Sequence, residues 1–531
     1  MDAITGLAAV ITAARAGSIG HAMRLFEAGG WPAETGNASA MAIRARLLKD
    51  AALQETGAAR GRMLAEAAEA YRAADALRPQ PYTRINEATM RLLAGDRAGA
   101  RTRAQALLAW MGTAETLAET PYYIHATRAE ACLLCDDPAG AQRELALAAA
   151  ADPDGWADRA STLRQLSLIL AETGGDAAWL DAFRPPATLN YAGHLGVSVE
   201  AGEGLRAEVA AWIAARGIGF GHGALAAGAD IVIAEALLEC GAELHVVLPV
   251  AVGSFVDQSV AAYGAPWRAR FEACLDAAQS LHCATALSGA YEPLATQLAA
   301  DVAMGASVLQ ARQLQTEAWQ LLVIDDAPAP FGAGIGTRGI GQRWRDAARR
   351  HCLVVPRTAP VRASGDRPSR EGRADRRLTA LLTVALETPD PRNEVAFAQA
   401  VDQAIAPFHA ACAAIDPQPD LVLATDAGRI LAFADPDAAL AHACALLALR
   451  PGLPLRVAGH FGLAHRLDNP PLLTGRAVAE LGAVAASALP GVLTASAPLA
   501  SVLAINHAGD LVAEHIGEAA GHRLFAVKPV Q

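Results

Sequence analysis

The spacing of apolar residues divides the chain into stretches of different predicted structure. From residue 1 to about residue 185, apolar and alanine residues recur every three or four positions without strand-like alternation, which predicts helices. From Ala187 onward, apolar runs of strand length alternate with helical patterns, which predicts a parallel α/β sheet. The strands predicted there are Thr188–Tyr191, Ala229–Ile233, Leu244–Leu248, Leu321–Ile324 and Cys352–Val355.

The C-terminal part again mixes strand and helix patterns. Strands are predicted at Leu378–Val384, Leu421–Thr425, Arg429–Phe433 and Leu455–His460, and helices at Phe397–Ala414 and Pro436–Ala448. The segment Arg357–Arg377 is rich in Pro, Gly, Ser and Arg and has no apolar period, so a solvated linker is favoured over a basic binding tail. The predicted domains are helical repeats (1–185), a central α/β domain (186–360), a linker (361–376) and a C-terminal α+β domain (377–531).

Two N-terminal segments resemble each other. Tyr82–Arg101 and Tyr123–Arg143 each predict a helix, a tight polar turn and a second helix, with stops at Leu77–Pro79 and Ala151–Pro153. This is similar to tetratricopeptide repeats, although the spacing is about 40 residues instead of about 34. The resemblance implies a groove that binds a protein partner or a second copy; a helical cap on the neighbouring domain is the alternative.

Composition narrows the function classes. The net charge of −11 argues against a nucleic-acid binder. The 44 basic residues include only the lysines Lys49 and Lys528, a bias typical of GC-rich bacterial genes. Eight cysteines without a disulfide framework fit a reducing cytosol, and no apolar run approaches about 18 residues. We therefore expect a cytoplasmic protein without a membrane partner.

The pair Cys132 and Cys135 lacks a second pair, which favours helix packing over a zinc site.

Three glycine-bearing segments follow predicted strands of the central domain. They are Ala192–His194, the Gly217–Gly228 loop and Phe331–Gly341. Because the carboxyl ends of parallel strands converge on one crevice, these segments are predicted to line one pocket. The candidate ligand-binding residues are Gly193, His194, Gly221, Gly223, Gly228, Gly334, Gly336, Thr337 and Arg338. The glycines would let the backbone approach a phosphate; the alternative is that they serve only as tight turns.

Residues 188–356 resemble the SLOG superfamily, Rossmann-like proteins that include phosphoribohydrolases and proposed nucleotide-ligand sensors. The resemblance rests on Gly193-His194, the blocks GALAAGADIVIAEALLECGAELHVVLP and MGASVLQARQLQTEAWQLLVID, and Gly336-Thr337 with Trp344. The hydrolytic branch carries Glu three residues after this Gly-Thr, where this chain has Ile340. The resemblance thus implies binding of a nucleotide-type ligand without hydrolysis, with Arg338 and Arg343 as phosphate partners.

The segment Leu455–Gly462, LRVAGHFG, followed by Arg466, resembles class III nucleotide cyclases. The resemblance covers about residues 377–529 and implies a ferredoxin-like domain able to form a homodimer. The two carboxylates that hold metal ions in that family align with Ala385 and Ala427, beside Glu387 and Asp426.

The residues of that family that stabilise the transition state align with Ala479 and Ala483. We therefore expect an impaired cyclase domain and assign no catalytic residue, metal ligand or resident cofactor. His460 and His465 are expected to be buried, hydrogen-bonded histidines.

The sequence thus predicts a multidomain α and α/β protein that senses a nucleotide or nucleotide-derived ligand in signalling. Two alternatives stay open. One is an enzyme, either a nucleotide or NAD-type glycohydrolase that uses Glu235 or His194, or a cyclase completed by a partner. The other is a protein-interaction scaffold.

Overall fold

The computed structural model describes residues 3–113, 119–195, 197–287, 293–324, 335–346, 349, 351–354, 375–425, 428–507, 509–519 and 521–529. The chain forms two compact units. One comprises residues 1–185 with 313–315, and the other comprises residues 186–312 and 316–531. Most of the predicted linker, residues 361–374, lies outside the described residues. No helix in the described ranges is long and apolar enough to cross a membrane.

The first unit is helical, as predicted, and its described residues contain no strand. Its helices are α1 (Ala3–Arg15), α2 (Ile19–Ala28), α3 (Ala38–Ala52), α4 (Gly57–Leu77), α5 (Pro81–Leu93), α6 (Arg97–Thr113), α7 (Pro121–Leu134), α8 (Pro138–Ala151) and α9 (Trp156–Thr173). The predicted stops are confirmed, since α4 ends at Leu77 and α8 ends at Ala151.

The pairs α5–α6 and α7–α8 use the same device at their turns. The Asp96 carboxylate accepts a hydrogen bond from the Gly99 N–H at 2.8 Å, and the Asp137 carboxylate accepts one from the Gly140 N–H at 2.8 Å. An aspartate at this position satisfies a backbone donor at the start of the second helix. The predicted helix–turn–helix pairs are confirmed, and their assignment to tetratricopeptide repeats stays a prediction.

The central domain alternates strands and helices around a parallel sheet. Its elements are β1 (Ala187–Gly193), α10 (Val199–Ala215), β2 (Ile218–Gly223), α11 (Ala229–Glu239), β3 (Glu243–Leu248), α12 (Val252–Ser259), α13 (Ala265–Asp276), β4 (Ser280–Cys283), α14 (Pro293–Gln313), β5 (Ala318–Val323), α15 (Ile335–Asp346) and β6 (His351–Val354). The strand order is β4-β3-β2-β1-β5-β6, and every neighbouring pair is parallel. The predicted parallel α/β sheet is confirmed.

The prediction of a strand at Ala229–Ile233 is wrong. This segment is the start of α11, and the strand lies earlier, at Ile218–Gly223, inside the predicted Gly217–Gly228 loop. Residues 229–234 of α11 are buried without interruption, and Ile231, Val232 and Ile233 are fully buried, so this half of the helix has no exposed face to reveal its period.

The C-terminal domain has helices packed on a mixed sheet. Its elements are β7 (Arg376–Leu386), α16 (Glu394–Ala400), α17 (Ala406–Cys412), β8 (Leu421–Thr425), β9 (Gly428–Phe433), α18 (Pro436–Ala448), β10 (Leu455–Asp468), β11 (Pro471–Thr474), α19 (Arg476–Ala486), β12 (Leu493–Ser496), α20 (Ala497–Asn506), β13 (Leu511–Ala519) and β14 (His522–Pro529). The strand order is β13-β14-β12-β10-β7-β9-β8, and β11 pairs with β10. The predicted strands and helices are present, although β10 continues eight residues beyond His460, to Asp468.

The central and C-terminal domains share one apolar core. Helix α14 contributes Leu298, Val302 and Met304 to a buried cluster that also contains Leu499 and Leu503 of α20. The two helices meet so closely at Gly305 that a Cβ there would lie 2.0 Å from the carbonyl oxygen of Ser501. These domains therefore form one packed body within the second unit.

Candidate functional site

The sheet of the central domain reverses its order at β1. After β1 the chain adds β2, β3 and β4 on one side, and it then adds β5 and β6 on the other side. Gly193 ends β1 directly beside Val323 of β5, and the His194 N–H donates to the Val323 carbonyl oxygen at 2.9 Å. Ligands of open parallel sheets bind outside the carboxyl ends of the strands at such a point. We call this region the β1–β5 crevice.

Three of the predicted site residues meet at this crevice: Gly193, His194 and Gly228. The His194 carbonyl oxygen accepts a hydrogen bond from the Ala229 N–H at 3.1 Å, and Leu195 forms a bridge with Gly228. Gly228 has a φ of 110°, a conformation that favours glycine, and it directly precedes α11. The side chain of His194 is buried, with 6% of its surface exposed.

An acidic residue that the sequence analysis overlooked lies in the same crevice. The carboxylate of Asp230, in the first turn of α11, accepts hydrogen bonds from the Gly193 N–H at 2.8 Å and the Ala226 N–H at 3.3 Å. Burial raises the pKa of Asp230 to about 7, although these two hydrogen bonds act to lower it. The available signal was an acid in the first turn of α11, directly before the apolar run of residues 231–234.

Gly221 and Gly223 do not belong to a loop. Both lie in β2, where a Cβ on Gly221 would come within 2.3 Å of Leu237 in α11. A Cβ on Gly223 would come within 2.5 Å of the Tyr191 ring. Their small size therefore serves the packing of the sheet against its neighbours. This corrects the prediction that they form a ligand loop.

The third predicted segment is described only in part. Gly334 lies outside the described residues, and Gly336, Thr337 and Arg338 form the first turn of α15. The helix lies against β5, since a Cβ on Gly341 would come within 2.5 Å of Leu322.

Two charged residues that the sequence suggested for ligand binding or hydrolysis form ion pairs within the protein. Arg343 of α15, a predicted phosphate partner, forms an ion pair with Asp301 of α14. Glu235 of α11, a candidate for hydrolysis, receives a hydrogen bond from the Arg270 Nε at 2.7 Å, and both side chains are largely buried. Both residues therefore have structural partners outside the crevice.

In the C-terminal domain, the acid nearest to Ala385 is also paired. Ala385 lies near the end of β7, and Glu387 accepts a hydrogen bond from the Arg456 Nε at 2.6 Å. Asp426 and Ala427 lie outside the described residues. Among the residues that are described, no group of three or more His, Cys, Asp or Glu side chains is arranged to hold a metal ion.

The two predicted structural histidines are hydrogen-bonded. His460 is 1% exposed, and its Nδ1 lies 2.9 Å from the Ser496 hydroxyl. The Nδ1 of His465 lies 2.8 Å from the Asp375 carboxylate. Burial and hydrogen bonding are thus confirmed for His460, and hydrogen bonding is confirmed for the half-buried His465.

No family model matches the chain, and no curated protein matches it. Solved structures of adenylate and guanylate cyclase domains match about 30% of it. The guanylate cyclase domain of RhGC from Catenaria anguillulae, in complex with GTP, is 12% identical, with 30% of this chain and 100% of that chain covered and a TM-score of 0.25. An adenylate/guanylate cyclase/hydrolase from Silicibacter pomeroyi is 18% identical, with 30% and 99% covered and a TM-score of 0.23. The adenylyl cyclase CyaB of P. aeruginosa is 11% identical, with 29% and 96% covered and a TM-score of 0.24.

Proposed function

We propose that this protein is a regulatory protein that binds a nucleotide or nucleotide-derived ligand at the β1–β5 crevice. The observation that carries this proposal is the reversal of the strand order between β1 and β5, with Gly193 and His194 at the end of β1. The cleft outside such a reversal is the usual ligand site of an open parallel sheet.

Asp230 shapes the expected orientation of the ligand. Its carboxylate already accepts the hydrogen bond that the Gly193 N–H could donate to a ligand. When Asp230 is ionised, its negative charge repels a phosphate placed beside Gly193. We therefore expect hydroxyl or amine donors of the ligand on the Asp230 side. The phosphate is expected at the first turn of α15, where the N-terminus of a helix favours an anion.

We also propose that the C-terminal domain transmits the bound state without cyclase activity. In support, alanine occupies positions 385, 479 and 483, and Glu387 is paired with Arg456. The shared core of α14 and α20 supplies a mechanical link between the two domains. Self-association through this domain and protein binding through the helical unit complete the proposed arrangement, in a cytoplasmic protein.

Ligand binding to the folded state raises the unfolding temperature by mass action, so a thermal-shift screen tests the proposal. The full chain is screened with ATP, GTP, cyclic nucleotides, NAD, ADP-ribose and nucleoside monophosphates, and calorimetry then measures Kd. We expect one class to bind and Asp230→Asn to weaken that binding at least tenfold. Arg268→Gln, a change at an exposed residue of α13, is the control and should bind normally. Absence of a shift with every compound would contradict the proposal.

Product analysis of the same samples tests the absence of cyclase activity. The full chain is incubated with ATP or GTP and Mg²⁺ or Mn²⁺, and we expect no cyclic nucleotide above a heat-denatured blank. Steady formation of a cyclic nucleotide would show instead that the C-terminal domain is catalytic.

A further inference from the structure

A second cleft lies where the central and C-terminal domains meet. It has a volume of about 450 Å³ and is bounded by β4 on one side and by α19 with the start of β14 on the other. Among the described strands, β4 lies at the edge of the parallel sheet and pairs with β3. Since β2 and β3 separate β4 from β1, this cleft is distinct from the β1–β5 crevice. We call it the β4–α19 cleft.

One face of α19 forms a wall of this cleft. Arg476, Ala479, Glu480 and Ala483 follow a three- and four-residue spacing, so all four lie on the same side of the helix. The two alanines carry only methyl groups, and the cleft stays open beside them. Arg476 and Glu480 supply the charge of this wall.

Glu480 gathers cationic and histidine side chains around one carboxylate. It lies 3.1 Å from the His460 Nε2, 3.3 Å from the His522 Nε2 and 2.5 Å from the Arg476 Nε. Burial alone would raise the pKa of Glu480, but the hydrogen bonds from His460 and His522 and the charge of Arg476 outweigh it and hold that pKa well below its usual range. The carboxylate is therefore ionised and has strong partners for both oxygens.

The opposite wall adds a further histidine. His282 of β4 lines the cleft with Arg476 and His522. Burial, together with the neighbouring His522 and Arg476, lowers the pKa of His282 to about 4, so His282 is a neutral imidazole near pH 7. Arg476, His282 and His522 thus line one cleft beside a carboxylate whose oxygens are already hydrogen-bonded. The Arg476 guanidinium supplies the positive charge of this wall, and the imidazoles supply ring N–H groups.

We propose that the β4–α19 cleft binds a small phosphorylated molecule, with its phosphate between Arg476, His282 and His522. Arginine donates charge-assisted hydrogen bonds to phosphate oxygens, and a neutral histidine can add a hydrogen bond from its ring N–H. The remainder of the molecule lies along Ala479 and Ala483. Because His282 belongs to the central domain and Arg476 to the C-terminal domain, the bound phosphate joins the two domains.

The rate at which Cys283 is alkylated can report whether phosphate occupies the β4–α19 cleft. It lies in the wall of the β4–α19 cleft, beside His282, whereas the exposed Cys240 ends α11 away from it. The full chain is treated with a maleimide at increasing concentrations of inorganic phosphate, and alkylation is quantified at each cysteine by peptide mass spectrometry. We expect phosphate to slow the alkylation of Cys283 at least fivefold and to leave Cys240 unchanged.

Variants distinguish binding in the β4–α19 cleft from binding in the β1–β5 crevice. Arg476→Gln and, separately, Ala483→Leu should abolish the protection of Cys283, the first by removing the cation and the second by filling the cleft. Arg476→Lys should retain part of it, and Arg268→Gln should retain all of it. Unchanged alkylation of Cys283 in the wild type, or full protection in Arg476→Gln and Ala483→Leu, would overturn the proposal. Neither result bears on nucleotide binding at the β1–β5 crevice, which Asp230→Asn tests separately.

Discussion

At the scale of single residues, Asp230 changes the chemistry expected of the central domain. The sequence places glycines where a phosphate could approach the backbone, but the folded chain supplies its own carboxylate to the Gly193 and Ala226 N–H groups. A buried acid with a pKa raised to about 7 titrates in the physiological range. It is therefore the residue whose protonation would most directly alter the β1–β5 crevice.

The first prediction concerns the pH dependence of stability. The pKa of Asp230 is about 7 in the folded chain, against 3.8 ordinarily, so between these values the folded chain holds a proton that the unfolded chain releases. Its contribution to stability is thus complete below pH 3.8 and is lost as the pH rises through 7. In urea unfolding at pH 5 to 8, the stability advantage of the wild type over Asp230→Asn should shrink as the pH rises. Parallel profiles for the two proteins would contradict this assignment.

The second prediction tests the packing role of a strand glycine. Gly223→Ala places a methyl group within 2.5 Å of the Tyr191 ring, and such overpacking costs about 1–3 kcal/mol. Gly204→Ala is the matched control, because nothing lies within 4 Å of its Cβ and it lies in α10, where alanine is favoured by up to about 1 kcal/mol. Thermal unfolding should show a lower Tm for the first variant only. An unchanged Tm in Gly223→Ala would assign the glycine to a role other than packing.

At the scale of elements, the C-terminus of α20 is capped from another domain. Arg312 donates to the carbonyl oxygens of Ala504, His507 and Leu511, and Arg349 donates to those of Ala504 and Ile505 at 2.9 and 2.7 Å. Cations at the end of a helix satisfy its last carbonyl groups and complement its dipole. Burial, together with the neighbouring Arg312, lowers the pKa of Arg349 to about 10, which still leaves it charged.

The third prediction follows from this cap. Arg349→Ala removes the guanidinium that donates to Ile505 and one of the two donors to Ala504, and it should cost about 2 kcal/mol, as expected for hydrogen bonds from a charged group. Arg345→Ala removes an exposed arginine that donates a hydrogen bond to Gln342 of the same helix, and it should change the free energy of unfolding by less than about 0.5 kcal/mol. Urea unfolding of both variants measures the difference. Equal values for the two variants would show that the cap contributes nothing to stability.

At the scale of the whole molecule, the close packing of α14 against α20 couples the unfolding of the central domain to that of the C-terminal domain. A shared core and a backbone contact at Gly305 favour joint unfolding over independent motion. A ligand in either the β1–β5 crevice or the β4–α19 cleft would then act on both domains. This coupling is the physical basis of the proposed regulatory role.

The fourth prediction tests this coupling by hydrogen exchange in urea. In the wild type, amides of β1 and β7 should lose protection at the same urea concentration, since both strands belong to one packed body. Gly305→Ala forces α14 and α20 apart, because its Cβ would lie 2.0 Å from the Ser501 carbonyl oxygen, and it should separate the two transitions. Gly204→Ala should leave them coincident. Separate transitions in the wild type would show that the domains unfold independently.

The sequence by itself determined the order of the elements and most of their types. Local periods and turn residues identify the helix pairs at Asp96 and Asp137, the strands β1, β3, β5 and β6, and the hairpin strands β8 and β9. These signals are local, because a helix cap or an alternating strand depends on residues a few positions apart. Strand β2 was not predicted, because its three glycines interrupt the local apolar pattern by which a strand is recognised.

Only the tertiary structure decided which side chains share a site. Asp230 and Gly193 are separated by 37 residues, and Glu480 meets His460 and His522 because α19 packs on the sheet that carries them. Burial raises the pKa of Asp230, whereas hydrogen bonds from His460 and His522 and the charge of Arg476 lower that of Glu480 against the effect of burial. Both environments depend on the packing of distant segments, which leaves no local pattern in the sequence. The sequence therefore predicted the helical first unit, the parallel sheet of the central domain and part of the C-terminal sheet. The packing between segments created both the β1–β5 crevice and the β4–α19 cleft.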